Sequence, residues 1–515
     1  MEAIHEVGLA KYDILGLRNV GLIKKTYEFL GKPYPKSNEI DWNDQDVWKS
    51  IAVSNIGIFQ FESDYAFKVL KDFNTKSIDD MSLVTAMIRP SGASYRDNLC
   101  KHIINHNPSE MIDDLLKNNL GYLVYQEDVI AFLQQICGLT GSEADNVRRA
   151  IGRKDEERLQ KALPQILEGY CNKSTKDRLV AEQEAKTFLQ IIEDASSYMF
   201  GKNHSYAYCL LGYLCGYLRH YYPYEFLTAF FNCSETEEDI SNGTKLAGLL
   251  NINIKKPLFR YSKSEYFYDK ESKSIYKGIK SIKYLNENVA EILYSFKDNK
   301  YNSFVELLCD ISKTSINSRQ MGVLIDIDFF EEFGNAKQLA LIYNIFNMFK
   351  QGNAKLIKKE RLSNNPILNN IVARYSKETA TNYTQLDCKN ILSEAEQYIM
   401  CSITDDYPIG YKIKVRKEYL GYIDYKTNKP EDRPKILVQS LKKCIGKFGK
   451  DAGKPWCYMF DGYSLGSGKV STYSIFAKQF EKNSFAVDDV IYIDEWHRNN
   501  KGYFYIDKYK ILPKI

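Results

Sequence analysis

The sequence predicts a multidomain chain, mainly helical at first, mixed α and β further on, and β-rich in its last stretch. Three observations carry that reading. At about 150 residues per domain, 515 residues suggest about three or four domains, each large enough for a core. Apolar residues recur at helical spacing from about Trp42 to Phe231, with short loops between. Five short β-rich runs then fall between Ile436 and Ile506. Hydrophobic residues make up 44% and charged residues 26%, which excludes a mainly disordered, collagen-like or coiled-coil chain.

Along the chain, Leu9 to Ile14 reads as a short strand and Gly16 as a turn. Asn19 to Leu30 reads as a helix that Gly31 caps and Pro33 stops. Ser142-Glu143-Ala144-Asp145 starts another helix, the serine capping it and the acids filling its first turn, with Gly152 just past its end. Gly201-Lys202-Asn203-His204-Ser205 leads into an aromatic helix, Tyr206 to His220. From about Glu235 to Phe333 the pattern is mixed, with a β-like Tyr266-Phe267-Tyr268 and then short helices. Residues 346–430, with Asn364, Asn365, Pro366 and the charged stretch Lys426 to Arg433, read as a linker. The β-rich runs are Ile436 to Val438, Trp456 to Phe460, Thr472 to Phe476, Val490 to Asp494 and Tyr503 to Ile506. They suit a five-stranded barrel, and an oligonucleotide-binding (OB) type and a generic small barrel fit equally.

Composition bounds the partners. Lys+Arg 70 against Asp+Glu 66 leaves +4, so any nucleic-acid face must come from local clustering. The longest aromatic-aliphatic stretch, Tyr208 to Phe231, is broken by Arg219, His220, Pro223 and Glu225. It falls short of the roughly 18 uncharged apolar residues of a membrane span, and no membrane partner is expected. The first residues, with Glu2, His5 and Glu6, lack the basic and apolar regions of a signal peptide. Eleven scattered cysteines without a CxxC read as free thiols in a reducing, cytoplasmic setting.

Several clusters could carry chemistry. Asp13 ends an apolar strand beside Lys11, where a carboxylate could hold Mg²⁺ and a lysine meet a phosphate, or the aspartate could simply cap the next helix. Arg148, Arg149, Arg153 and Lys154 gather at a helix end, suited to a polyanion or to the helix dipole. Lys202 and His204 precede the aromatic helix, whose N-terminal amides offer an anion site, and Tyr208 lies one turn past His204. The spacing is not that of a Walker A loop. His102 and His106 have the spacing of a helical metal pair but no third ligand, and read as surface structure. Lys442, Lys443, Lys447, Lys450 and Lys454, with Phe448 and Trp456, suit single-stranded nucleic acid or an exposed hairpin without a ligand.

In order, these segments resemble the alpha subunit of bacterial DNA polymerase III, the C family of DNA polymerases. The resemblance rests on Gly8 to Arg18, Phe59-Gln60-Phe61-Glu62-Ser63, Arg89-Pro90-Ser91-Gly92, Gly121 to Glu127, Ala144 to Lys154, Phe200 to Tyr208 and Tyr221 to Phe226. It implies the C-terminal half of that subunit: end of palm over 1–30, fingers over 31–232, a helix-hairpin-helix-like region over 233–345, linker over 346–430 and OB-fold over 431–515. It implies that Asp13 is one of three palm aspartates holding two Mg²⁺ ions and that Lys11 lies near the incoming dNTP. Arg148, Arg149, Lys154, Lys202 and His204 would grip its triphosphate, with Tyr208 at the nucleoside. Tyr276 to Lys283 resembles the start of the helix-hairpin-helix region, which makes Lys277, Lys280 and Lys283 candidate contacts to primer-template DNA. Lys280 and Tyr284 stand where the family has glycines, which opposes close backbone approach to a phosphate. Gln385-Leu386-Asp387-Cys388 lies where the family carries a sliding-clamp motif, without its Leu-Phe ending.

Only twelve residues precede Asp13, and one aspartate cannot build a two-metal site. The expectation is therefore a split polymerase, inactive alone and completed by a separate N-terminal half. The alternatives are a catalytically silent relative that binds primer-template or single-stranded DNA, and a fragment of a longer chain.

Overall fold

Leu22, Ile23, Thr26 and Tyr27 fall on one buried face of helix α1 (Arg18–Leu30). Gly31 ends it in the left-handed region at φ 64°, where its N–H reaches Glu28 O and that of Lys32 reaches Tyr27 O. The structure, a computed structural model, describes residues 16–195, 199–349, 354–358, 368–379, 383–423, 425–427, 429–446, 453–499 and 504–513. The strand expected over Leu9 to Ile14, with Lys11 and Asp13, lies outside them, as do Lys447, Phe448 and Lys450. The chain divides into two compact units, one of residues 1–235 and 242–252 and one of residues 236–241 and 253–515.

The first unit is helical. Its further helices include α2 (Gln45–Ile51), α3 (Ile78–Met87), α4 (Gln126–Ala131), α5 (Gly141–Arg153), α6 (Glu156–Lys173), α7 (Arg178–Ala195), α8 (Lys202–Tyr221) and α9 (Pro223–Asn232). The aromatic helix α8 packs against α1, α2, α3 and α9. Glycine lets it approach so closely: a Cβ on Gly216 would run into the Ile51 side chain, and one on Gly212 would stand 3.0 Å from Phe59 O. Near its end Arg219, 2% exposed, donates to the carbonyls of Ser50, Ser54 and Ile56 and so satisfies the C-terminal end of α2. Helices α5 to α7 close a second core around Phe132, Tyr170 and Phe188.

Three helix boundaries differ from the expectation. Helix α8 starts at Lys202 and not at Tyr206, so Lys202 and His204 stand in its first turn. Helix α5 starts at Gly141, because Thr140 caps it reciprocally with Glu143. It runs through Gly152 and stops at Lys154, in the left-handed region at φ 56°. His102 stands at φ 53° beyond a short helix (Arg96–Cys100), its Nε2 on Phe73 O, so the two histidines do not share a helix face.

In the second unit, strands β1 (Asn253–Lys255), β2 (Phe267–Asp269) and β3 (Ser274–Tyr276) form a small sheet in the order β1-β3-β2. Helices α10 (Glu287–Ser295), α11 (Phe304–Ile311), α12 (Ser318–Asp326) and α13 (Ala336–Phe349) follow. The expected linker is not one. It holds strands β4 (Ala354–Lys358), β5 (Ser376–Glu378) and β6 (Tyr383–Asp387) with helices α14 (Asn369–Arg374), α15 (Cys388–Ser402) and α16 (Ile409–Leu420). Cys388, Ile391, Leu392, Ala395 and Ile399 recur at helical spacing and enter one core with Leu307, Phe330 and Leu339. The polar residues between such positions hide that stripe from a reading of composition.

The tail forms β7 (Lys435–Val438), β8 (Lys442–Ile445), β9 (Pro455–Ser464), β10 (Val470–Phe476), helix α17 (Ala477–Lys482), β11 (Val490–Arg498) and β12 (Phe504–Ile511). The sheet order is β10-β12-β11-β7-β9-β8, and β10 also pairs with β9. Ile436, Val438, Phe460, Ile475, Ile491 and Ile506 fill its core. Among the described residues no helix is long and apolar enough to cross a membrane.

Candidate functional site

Three segments of the first unit meet at residues 125–127, the start of α4. The backbone of Tyr125 bridges that of Phe200 in parallel, and Gln126 N–H donates to Phe200 O at 3.0 Å. Asp128 fixes this turn by accepting from the N–H groups of Val124 and Tyr125 and from the Asn119 amide. Burial pushes its carboxyl up, and those donors oppose the shift. Beneath, the Tyr125 hydroxyl sits 2.7 Å from Ser82 Oγ, which lies 2.9 Å from Ser205 Oγ on α8. Burial holds the Tyr125 phenol far above its ordinary range, so it stays neutral.

The arginine pair comes from α5. Arg148 donates through Nε to Asp145 Oδ1 at 3.0 Å and through Nη1 to Gln126 Oε1 at 3.1 Å. Arg149, more exposed, holds Asp145 Oδ2 through Nη2 at 2.8 Å. The Arg148 hydrogen bond, with both positive charges, keeps the Asp145 carboxyl below its ordinary range. Gln126 also donates through Nε2 to Met199 O at 3.1 Å, which ties the arginine helix to the segment entering α8. Lys154 follows as an exposed residue just past α5.

The second cationic group opens α8. The Lys202 ammonium lies 5.5 Å from the ring centroids of Tyr125 and Tyr206. Its backbone N–H donates to Glu127 Oε2 at 2.8 Å, so a carboxylate takes one of the amides expected for an anion. His204 packs between Phe200, 5.6 Å away, and Tyr208, 4.0 Å away, and Tyr208 meets Phe59 edge-on at 5.1 Å. The structure thus brings Arg148, Arg149, Lys202, His204 and Tyr208 to one region. Sequence reasoning named no role in the site for Gln126, Glu127, Asp145 or Arg89. The Arg89 guanidinium lies 5.0 Å over Phe200, and its buried Nε has no hydrogen-bond partner among the described residues. The signal for these four was the motifs they stand in.

In the second unit the lysines part ways. Lys277 is fully buried, its ammonium donating to Leu420 O at 3.0 Å and lying 4.4 Å over Tyr422. It cannot meet a phosphate without leaving that core, which corrects its expected role in DNA binding. Lys280 and Lys283 are exposed, Lys280 paired with Glu265. The backbone N–H of Lys283 is taken by Tyr419 O. Tyr284 holds φ 71° with Arg319 3.5 Å over its ring. Leu386 is wholly buried in the centre strand of β4-β6-β5, so residues 385–388 offer no free peptide to a clamp.

On the tail sheet Lys442 and Lys443 are exposed opposite Met459 and Tyr458, and Trp456, 48% exposed, lies further along that neighbouring strand. Sequence reasoning missed aromatic groups on both faces of β11 and β12. Tyr505 stacks between Phe476 and His497, and Trp496 and Arg498 flank Phe504. Phe476 and Trp496 are about half exposed, which strand-end aromatics in the sequence could have signalled.

Residues 19–174 match the finger domain of the bacterial DNA polymerase III alpha subunit, and residues 251–340 match a helix-hairpin-helix motif. The DNA polymerase III subunit alpha of Ureaplasma parvum is 26% identical over 506 residues, 95% of this chain and 49% of that protein. The one from Campylobacter jejuni is 31% identical over 362 residues, 67% of this chain and 29% of that protein. That of Staphylococcus epidermidis is 24% identical over 522 residues, 97% and 46%. The chain belongs to the DNA polymerase III alpha-subunit family. It spans about half the length, or less, of these relatives. Arg148, Arg149 and Lys154 fall within the matched finger domain, as do Gln126 and Asp145.

Proposed function

We propose that the chain supplies the fingers, the triphosphate grip and part of the nucleic-acid track of a C-family DNA-directed DNA polymerase acting in replication. The observation that carries this reading is the meeting of Arg148, Arg149, Lys202 and His204 around the two segments Gln126 joins. In-line nucleotidyl transfer asks for positioning and charge neutralisation more than covalent help. The planar forks of Arg148 and Arg149 receive phosphate oxygens, Lys202 and Lys154 add point charge, and His204 donates from its ring. Tyr208, set between His204 and Phe59, faces the nucleoside.

Asp13 is read as a Mg²⁺ ligand and Lys11 as a further triphosphate contact. Each Mg²⁺ takes one or two carboxylates with waters and phosphate oxygens, so a two-metal site asks for more carboxylates than Asp13 alone. Among the described residues no group of three or more His, Cys, Asp or Glu could hold a metal. In this reading a separate N-terminal half provides the remaining carboxylates.

Lys280, Lys283, Lys442, Lys443, Lys447 and Lys450 are read as contacts to DNA. An OB-type barrel is supported by the pairing cycle β7–β9–β10–β12–β11–β7, parallel only between β10 and β12, with α17 between its third and fourth strands in sequence. Its exposed aromatics give bases a stacking surface.

The test is primer extension with Mg²⁺ and dNTPs, using this chain alone and mixed with a polypeptide bearing the paired palm aspartates. Extension only by the mixture, lost in Asp13→Asn, is expected. Primer-template binding without extension in every combination would overturn the enzymatic reading and leave a binding module.

A further inference from the structure

Three consecutive side chains, Tyr125, Gln126 and Glu127, each hold a different part of the cationic cluster. Tyr125 presents its ring to the Lys202 ammonium, Gln126 binds the Arg148 guanidinium, and Glu127 takes the Lys202 amide. We propose that residues 125–127 are a positioning unit for the triphosphate grip, with Gln126 its central member. The proposal rests on reading the fingers as a nucleotide site and deepens it.

Gln126 is chemically suited to the task. One neutral, planar group accepts from Arg148 Nη1 through Oε1 and donates to Met199 O through Nε2. A carboxylate there would lack the donor and repel a triphosphate, and an ammonium would lack the acceptor. The backbone beneath is locked by Asp128 and by the Tyr125–Phe200 bridge, so the amide is held from below. Arg148 then has Nε on Asp145 and Nη1 on Gln126, which fixes the plane of its fork before any anion arrives. Through Met199 the same amide fixes the entry to α8, and with it Lys202 and His204. The arginines of α5 and the cations of α8 are thereby set relative to each other, as a polyanion that must touch both requires. Gln126 acts through Arg148 and α8 without touching the nucleotide and is a positioning residue.

Two measurements on the 515-residue chain test this. The first needs no nucleotide: the rate at which phenylglyoxal modifies Arg148, followed by peptide mass spectrometry. Gln126→Met should raise that rate severalfold, leaving exposed Arg153 and buried Arg219 unchanged. An unchanged Arg148 rate would overturn the proposal, and a rise at Arg219 would mark unfolding. In that event Gln126→Glu, which keeps the acceptor for Arg148, replaces it and should leave Arg148 as protected as in the wild type. The second is a cycle on binding of a fluorescent N-methylanthraniloyl-dATP with Mg²⁺. Gln126→Met should weaken binding about tenfold, the scale of one hydrogen bond to a charged group, but by less than about twofold in an Arg148→Ala background. An undiminished effect in that background would refute positioning through Arg148. If the wild type binds no nucleotide saturably, the nucleotide-site reading fails and the proposal with it. A faster Arg148 reaction would then still establish the Gln126 contact as structural.

Discussion

Inside the second unit one carboxylate, Asp328, meets two buried cations. Lys412 lies 2.7 Å from its Oδ1 and Arg416 binds Oδ2, and Lys412 also pairs with Asp406. Burial alone would raise the Asp328 carboxyl, but Arg416 and Lys412 outweigh it and hold the group below its ordinary range. A depressed folded-state pKa contributes stability above the unfolded value and loses it as pH falls through the folded one. Asp328→Asn should therefore cost about 3–5 kcal/mol at neutral pH, because it removes the carboxylate that buried Lys412 and Arg416 share. It should also flatten the loss of stability on acidification below the ordinary carboxylate range. Urea unfolding of both proteins at pH 7 and at steps toward pH 3 checks this, and equal midpoints at pH 7 would refute it. Tyr284 is a residue-scale feature of the opposite kind. It holds a left-handed backbone that a side chain rarely adopts, and the Arg319 guanidinium over its ring offsets part of the strain.

Among the elements, α6 shows a contact overruling propensity. Gly169 lies inside it, where alanine would favour the helix by about 1 kcal/mol. A Cβ there would collide with the carbonyl oxygen of Cys137, at the end of a π-helical turn (Phe132–Ile136). Gly169→Ala should thus destabilise the first unit, by about 1–3 kcal/mol for a forced backbone shift. Thermal unfolding followed by circular dichroism would read it, and an unchanged or raised midpoint would show that α6 can slide away. Helix α8 carries the same lesson. Its aromatic pattern predicted a helix, and Gly212 and Gly216 let it lie close against Phe59 and Ile51, which places Lys202 and His204 at the mouth of the cluster.

At the scale of the whole molecule a net charge of +4 says little about nucleic acid, and the local surface of the tail sheet says more. Lys442→Ala with Lys443→Ala should lower the salt slope of single-stranded DNA binding by about 1.4, at about 0.7 per phosphate neutralised. Trp496→Ala should weaken binding by about 1–3 kcal/mol while leaving that slope intact. Fluorescence anisotropy of a labelled oligonucleotide between 50 and 200 mM salt, as suggested by the usual range, separates the two effects. A slope unchanged by the lysine pair would remove the sheet as a DNA contact. The sequence by itself determined what depends on near neighbours: helix α1 with its glycine cap, the aromatic helix α8 and the β-rich tail, and it named Arg148, Arg149, Lys202, His204 and Tyr208, which the structure brings to one region. It missed the helices of residues 369–420 because their apolar stripe is diluted by polar residues. Only the tertiary structure decided which of those charges are available. Lys277 is consumed by a carbonyl 143 residues away, Leu386 is buried in a sheet centre, and Gln126 joins Arg148 to a carbonyl 73 residues further on. Pairings between distant segments are set by packing of the whole chain, and no local pattern records them.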